Sequence, residues 1–322
     1  MPLISRPLCP TLSIATAVNP AYAYPALALT ALFWAGNALL GRALHEVAAP
    51  AVLTFWRWVA VLLMLSPFVM GELQRRAADL RRAWKAMLLL GLLSTGIYNA
   101  LIYEALRYTT ATNAALLNSS IPVWTVIAAW LIMREGTTRA QALALGVSFI
   151  GVFLIISHGD FAALAQLHVN HGDTLVLLAM MMWGVYSVCL RWRPVGLSPF
   201  AYLWVTGSVG LVLLTPWAAF SVASGADWRL PAPAWAGVAY LVLFHSICAT
   251  ALFNRSVDIL GPARASQVVH LVPVFAVLLA ATLLNEPIHL YHLGGFALIL
   301  AGLAMAAYFA RHRSPAAPQA VR

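Results

Sequence analysis

Trp34 and Asn37, Asn99 and Tyr103, and Trp183 and Tyr186 are pairs spaced by three or four residues inside apolar stretches, so each pair shares one face of a helix. Tyr98, Asn118, Ser119, His245, Asn254, Gln267 and His270 add single aromatic or polar groups to stretches of the same kind. Residues of these types bind solutes rather than make or break bonds: aromatic walls with a few amides and hydroxyls suit an amphipathic organic molecule. Helix packing explains the same residues in another way, because Ser, Asn and His tie helices together in an apolar medium. Trp56, Trp58, Trp84, Trp192, Trp217, Trp228 and Trp235 fall near the ends of apolar stretches, where aromatic belts form.

Groups for catalysis or redox chemistry are sparse. The 10 Asp and Glu residues lie in loops or near the ends of apolar stretches, Glu104, Glu135, Asp258 and Glu286 among them. His245 and His270 are the groups within apolar stretches that titrate near neutral pH, so proton coupling would use them or Glu104. Arg57 lies about two turns into an apolar stretch and reads as a structural clamp, with anion binding as the alternative. His158, Asp160, His168, His171 and Asp173, with His45, His289 and His292, read as a solvated face and not a zinc site. Cys9, Cys189 and Cys248 are too widely spaced for a disulfide framework. With no G-x-x-x-x-G-K-[ST] sequence, no nucleotide hydrolysis is expected; nor is any catalytic residue, metal or cofactor.

Composition decides what must position these groups. With 62% hydrophobic and 9% charged residues, in repeated apolar runs of about 20 residues, the chain is an all-α integral membrane protein. The net charge of +9 would suggest nucleic acid in a soluble chain; here it reflects loop arginines facing anionic lipid, and no nucleic-acid partner is expected. Ten spans are predicted, at 24–44, 50–71, 85–106, 110–133, 139–157, 173–193, 198–221, 234–257, 262–284 and 289–310. Residues 1–23 read as a disordered tail, with a secretory leader as the alternative, and 311–322 as a second tail. Glu72–Lys85 carries Leu73, Ala77, Leu80 and Trp84 on one face and reads as an interfacial helix.

Residues 98–135 recur, shifted and without a gap, at 249–286. Pro122 matches Pro273 and Glu135 matches Glu286 at the same spacing, and Gly151 matches Gly302. Trp34 and Arg42 likewise match Trp183 and Arg191. The halves are therefore 24–157 and 173–310, joined by an outer loop at 158–172. Five spans per half make the second half enter the membrane upside down, an inverted repeat of the kind that supports alternating access. Arg6, Arg75, Arg76, Arg81, Arg82, Lys85, Arg134, Arg139, Arg191, Arg193, Arg255, Arg264, Arg311, Arg313 and Arg322 share one side, against Arg42, Arg107 and Arg229 on the other, which places both termini in the cytoplasm. Pro122 and Pro273 are expected as bends near mid-span that free the carbonyls of Asn118 and Val269.

Five-span halves, an arginine early in the second span and paired A-x-x-A-x-L-x-x-x-x-P-V type segments ending in Glu135 and Glu286 resemble the drug/metabolite transporter superfamily, specifically its EamA-type carriers. Arg134 and Asn285 stand where that family often has glycine. The resemblance covers 24–310 and implies a ten-helix exporter of a bacterial-type inner membrane, not an enzyme, with a cavity lined by spans 1, 3, 4, 6, 8 and 9. The aromatic composition is similar to that of the family's aromatic amino-acid exporters. In that reading Trp34, Tyr98, Trp183 and Tyr186 stack on the substrate side chain, while Asn37, Asn118, Ser119, Gln267 and His270 bind its amino and carboxylate groups. A zwitterion needs no net charge in its site, and phosphorylated sugars are disfavoured because no Lys or Arg is expected in the cavity. The alternatives are a drug or other metabolite carrier of the same fold, and a lipid-modifying membrane enzyme.

Overall fold

The computed structural model describes residues 22–44, 48–105, 108–109, 117–118, 120–134, 136, 138–157, 159–160, 171–283 and 288–311. Among these, the regular elements are all helical: α1 (Ala23–Leu44), α2 (Pro50–Arg75), α3 (Ala77–Arg82), α4 (Trp84–Gly91), α5 (Tyr98–Ala105), α6 (Ile121–Met133), α7 (Arg139–Ile156), α8 (His171–Cys189), α9 (Pro199–Ala223), α10 (Ala232–Tyr240), α11 (Thr250–Leu260), α12 (Pro262–Ala265), α13 (Leu271–Leu283) and α14 (Leu290–Arg311). A π-helical segment, Leu92–Ile97, joins α4 to α5, and a second, Leu241–Ala249, joins α10 to α11. Each trio forms one rod. A 3₁₀ segment, Ser266–His270, leads from α12 into α13. Among the described residues, 6 helical stretches are long and apolar enough to cross a bilayer, and α6, α7 and α14 supply shorter apolar ones.

The ends of these helices follow local chemistry. Thr138 accepts from the Gln141 backbone N–H while the Gln141 side chain accepts from the Thr138 backbone N–H, a capping box that starts α7. Ser198 caps α9, with Pro199 at its first position. Arg134 ends α6 in the left-handed region at φ 58, and Gly261 at φ 82 turns α11 into α12. Pro122 lies within the first two positions of α6, and Pro273 is the third residue of α13. Pro122 thus stands in the first turn of α6, whereas Pro273 stands inside a helical stretch that runs from Pro262 through the 3₁₀ segment into α13. At the first turn of α6 the missing N–H of Pro122 has no intrahelical acceptor to lose, which is why proline is tolerated there.

Polarity is arranged inside out. Leu63, Phe68, Val212 and Phe220 are about 70% or more exposed, while Arg57, Asn254 and His270 are buried to within a few per cent. In water this would be unfavourable at both places; in lipid, apolar outer faces and enclosed polar groups are what the medium demands.

Helix contacts reveal the symmetry. In the register that aligns Pro122 with Pro273 and Gly151 with Gly302, Ala144 corresponds to Gly295 and Ser148 to Ile299. A Cβ on Gly151 would lie 2.7 Å from the Gly295 carbonyl oxygen, and one on Gly302 would lie 2.6 Å from that of Ala144. Each contact is the other with its halves exchanged. Ser148 Oγ donates to the carbonyl of Ile299, its own counterpart, at 3.3 Å. These pairs advance in opposite directions along α7 and α14, so the helices are antiparallel and the two-fold axis is perpendicular to both. For helices that cross a membrane, such an axis lies in the membrane plane, which is the geometry of an inverted repeat.

The predicted interfacial helix at 72–85 is divided. α2 runs on to Arg75, α3 is short, and α4 begins at Trp84. Leu73 and Leu80 pack on the core, whereas Trp84 stays half exposed with the Lys85 ammonium 5.7 Å from its ring. Glu72 ties α2 to α9 by accepting from the backbone N–H of Ser198 at 2.7 Å and from its hydroxyl at 2.5 Å. Glu72→Ala removes both bonds from the start of α9. A loss of about 1–2 kcal/mol is expected, read as a lower Tm of the detergent-solubilised protein; an unchanged Tm would show the contact to be idle.

The candidate site between the repeats

Trp183 on α8 is the hub of an aromatic layer. Its ring centroid is 4.9 Å from Tyr98 on α5, 5.1 Å from Tyr186, 5.6 Å from Trp34 on α1 and 5.8 Å from Phe253 on α11. Trp34 and Trp183, matched in sequence between the two halves, meet edge-on here. Helical spacing brings Tyr186 onto the face of Trp183. There its hydroxyl donates to Asn254 Oδ1 at 3.0 Å and accepts from Tyr202 at 3.4 Å. Arg193, ion-paired with Asp258, lies over the Tyr202 ring and closes this end of the layer. Among the described residues, the buried Trp183 Nε1 and Asn254 Nδ2 atoms have no hydrogen-bond partner. Both are donors left available beside aromatic rings.

A second group forms around Arg57. α2 turns this residue inward until it is 2% exposed, and packs on α5 and on the π-helical segment Leu241–Ala249. Asn99 Nδ2 donates to the carbonyls of Thr95 at 2.8 Å and Ser94 at 3.2 Å, which the wide turn of Leu92–Ile97 releases. These bonds orient the amide so that Asn99 Oδ1 accepts from Arg57 Nη2 at 2.8 Å. Arg57 Nη1 donates to the Tyr103 hydroxyl at 3.4 Å, and the guanidinium lies 5.5 Å from the Trp58 ring. Tyr98, which touches Trp183, and Asn99, which accepts from Arg57, are consecutive residues of α5, so that helix joins the two groups. His245 belongs to the second π-helical segment, and its Nδ1 is buried without a partner among the described residues.

The structure thus brings together Trp34, Tyr98, Trp183, Tyr186 and Asn254, and beside them Asn99, Tyr103 and His245. Asn37 lies one turn beyond Trp34 on α1, half-buried. Gln267 and His270 are buried in the 3₁₀ segment, which packs on α1, α6 and α7; the His270 ring is 5.9 Å from Phe149 of α7. Asn118 is half-buried just before α6, and Ser119 lies outside the described residues. Two contributors escaped the sequence reading. Phe253 and Tyr202 look like ordinary apolar helix residues, and only the position of Phe253 beside Asn254 hinted at a role. Arg57, read from the sequence as a clamp or an anion site, is buried on α2 and bonded to α5. Among the described residues no three His, Cys, Asp or Glu groups converge as metal ligands; His45, His158 and His168 lie outside those residues. A separate apolar groove of about 500 Å³, lined by Val123, Leu145, Phe149 and Phe153, opens between α6 and α7.

Antiparallel repeats around a buried aromatic and polar centre, wrapped in apolar helices, define a polytopic membrane transporter of the two-repeat type. The sequence matches the EamA-like transporter family over residues 21–157 and 170–308, and the chain belongs to that family, within the drug/metabolite transporter superfamily. It is 26% identical to the uncharacterized transporter YyaM of Bacillus subtilis over 261 residues, covering 79% of this chain and 83% of that one. An uncharacterized transporter of Archaeoglobus fulgidus is 26% identical over 282 residues, covering 86% of this chain and 94% of its own. A crystal structure of a protein 17% identical in sequence superposes with a TM-score of 0.69, covering 90% of this chain and 98% of that one, which supports the fold.

Proposed function

We propose that this transporter exports amino acids with aromatic or large apolar side chains, by alternating access of two inverted five-helix repeats, across a bacterial-type inner membrane with both termini cytoplasmic. The observation that carries the reading is the ring layer of Trp34, Tyr98, Trp183, Tyr186 and Phe253. Offset and edge-on rings accept another aromatic ring at about 0.5–1.5 kcal/mol per pair beyond its area burial, so a planar side chain gains where a small polar one does not. Gly184 contributes to the same reading: a Cβ there would lie 2.8 Å from the Trp124 backbone, so α8 packs closely on α6 and carries Trp183 inward.

The test is flux of labelled amino acids in proteoliposomes holding the purified protein, with phenylalanine and tryptophan compared against serine and glycine, with and without a proton gradient. Saturable flux of the aromatic pair, at least about tenfold above the small ones in kcat/KM, is the expected result. Equal flux of all four, or of none, would remove the amino-acid assignment and leave a metabolite or drug carrier of the same fold. Dependence of the rate on the gradient identifies the coupling, with His245 and Glu104 as the first residues to replace.

A further inference from the structure

We infer that Arg57 is the subsite for the substrate's carboxylate, held beside the aromatic layer so that one solute spans both; this rests on the amino-acid reading and gives its acidic end a place. A buried charge is normally paired or fully hydrogen-bonded. Arg57 has neither arrangement: its partners Asn99 and Tyr103 are neutral, the Tyr103 bond is long at 3.4 Å, and Nε has no acceptor among the described residues. Two arginines elsewhere in this chain do meet carboxylates, Arg193 with Asp258 and Arg76 with Asp79. Around Arg57 it supplies hydroxyl and imidazole groups instead. Thr54 is one turn away on α2, and His245 and Ser246 lie on the π-helical segment that packs on α2.

The buried Thr54 Oγ1, His245 Nδ1 and Ser246 Oγ atoms likewise have no partner among the described residues. A planar guanidinium whose Nε has no acceptor among the described residues, on a helix that packs on the segment carrying His245 and Ser246, can bind a carboxylate in bidentate fashion. The Asn99 amide, locked by Ser94 and Thr95, then serves as a positioning group that holds the guanidinium edge toward the solute. A clamp between α2 and α5 would use the Asn99 and Tyr103 contacts alone and would leave no reason for the unpartnered Nε or for the neighbouring free hydroxyls.

The experiment uses the full-length protein in detergent, with binding read by thermal shift and competition. The probes are L-phenylalanine, 3-phenylpropanoate, phenethylamine and inorganic phosphate. In the wild type, phenylalanine and 3-phenylpropanoate bind, and phenethylamine, which has the ring without the acid, binds at least about tenfold more weakly. Arg57→Gln weakens both carboxylates at least about tenfold and leaves phenethylamine unchanged. Asn99→Asp sets a carboxylate of the protein's own against the guanidinium, at the loss of the amide's bonds to Ser94 and Thr95; it has the same effect on binding, and the ion pair it makes between α2 and α5 lets it decide the matter should Arg57→Gln fold poorly. Carboxylate affinities equal in wild type and Asn99→Asp overturn the inference, and so does binding of phosphate in place of 3-phenylpropanoate. The two readings separate cleanly. Binding of 3-phenylpropanoate that depends on Arg57, with no amino-acid flux, keeps the subsite and removes the amino-acid reading; phenylalanine flux with an unchanged KM in Asn99→Asp does the reverse.

Discussion

Gly151→Leu and Gly302→Leu should each destabilise the protein by about 3 kcal/mol, and by nearly the same amount as one another. The size follows from what the new side chains meet. Added Cβ atoms would lie 2.7 Å and 2.6 Å from the carbonyl oxygens of Gly295 and Ala144, and these are backbone atoms that cannot swing aside. α7 and α14 would have to separate, losing the close backbone approach that holds helices together where no hydrophobic drive operates between them. Leucine regains about 1 kcal/mol in helix propensity, which is too little to offset this. The equality follows from symmetry, because the two sites are one contact seen from either half. Gly146→Leu is the control on α7: a Cβ there meets nothing within 4 Å. Thermal unfolding in detergent, with recovery of monodisperse protein after heating, measures all three. If Gly302→Leu melted like Gly146→Leu while Gly151→Leu did not, the exchange symmetry of the crossing would be wrong.

The features legible in the sequence are those set by composition and by repetition. Apolar runs specify helices in lipid whatever their neighbours, and the matches of Pro122 with Pro273 and Trp34 with Trp183 registered the two halves before any contact was known. Placing Asn99 with Tyr103 and Trp183 with Tyr186 on common faces needed only the helical period. Other features depend on which way a helix is rotated, and that is decided by partners far away in the chain. Arg57 was read as a structural clamp, with anion binding as the alternative, but which groups it would hold could not be read from its own segment; they are Asn99 and Tyr103, from a different helix. The π-helical turns at Leu92–Ile97 and Leu241–Ala249 leave no mark in composition, since one extra residue per turn changes hydrogen bonding and not hydropathy. They nonetheless supply the carbonyls that aim Asn99 and the backbone that carries His245. Gln267 and His270 were placed in the site from their position just before Pro273; that they lie in a 3₁₀ segment packed on α1, α6 and α7 is another feature composition does not mark.

Trp183→Ala should abolish aromatic amino-acid flux and lower stability by about 3–5 kcal/mol, because it removes the ring that touches four others and leaves a cavity in their midst. Loss of flux alone would then report either a missing contact or a loosened fold. Trp183→Phe separates the two. It keeps a ring in the layer and deletes the buried indole N–H, which has no partner among the described residues. A buried donor left unpaired costs about 1–3 kcal/mol, so its removal offsets the smaller ring and Tm should stay near that of the wild type. If the N–H serves the solute, KM for phenylalanine should rise about tenfold with kcat unchanged, the signature of lost uniform binding. An unchanged KM would make the indole a packing group only. The inverted repeat adds a constraint that packing cannot mimic. Under the proposed alternating access, exchange of the halves would carry Trp34 into the place of Trp183 when the site opens to the other side, so Trp34→Phe should raise KM for substrate offered from the face opposite to that on which Trp183→Phe acts. Counterflow measured in both directions on oriented proteoliposomes distinguishes the faces, and equal effects of both variants from both sides would remove the exchange from the mechanism.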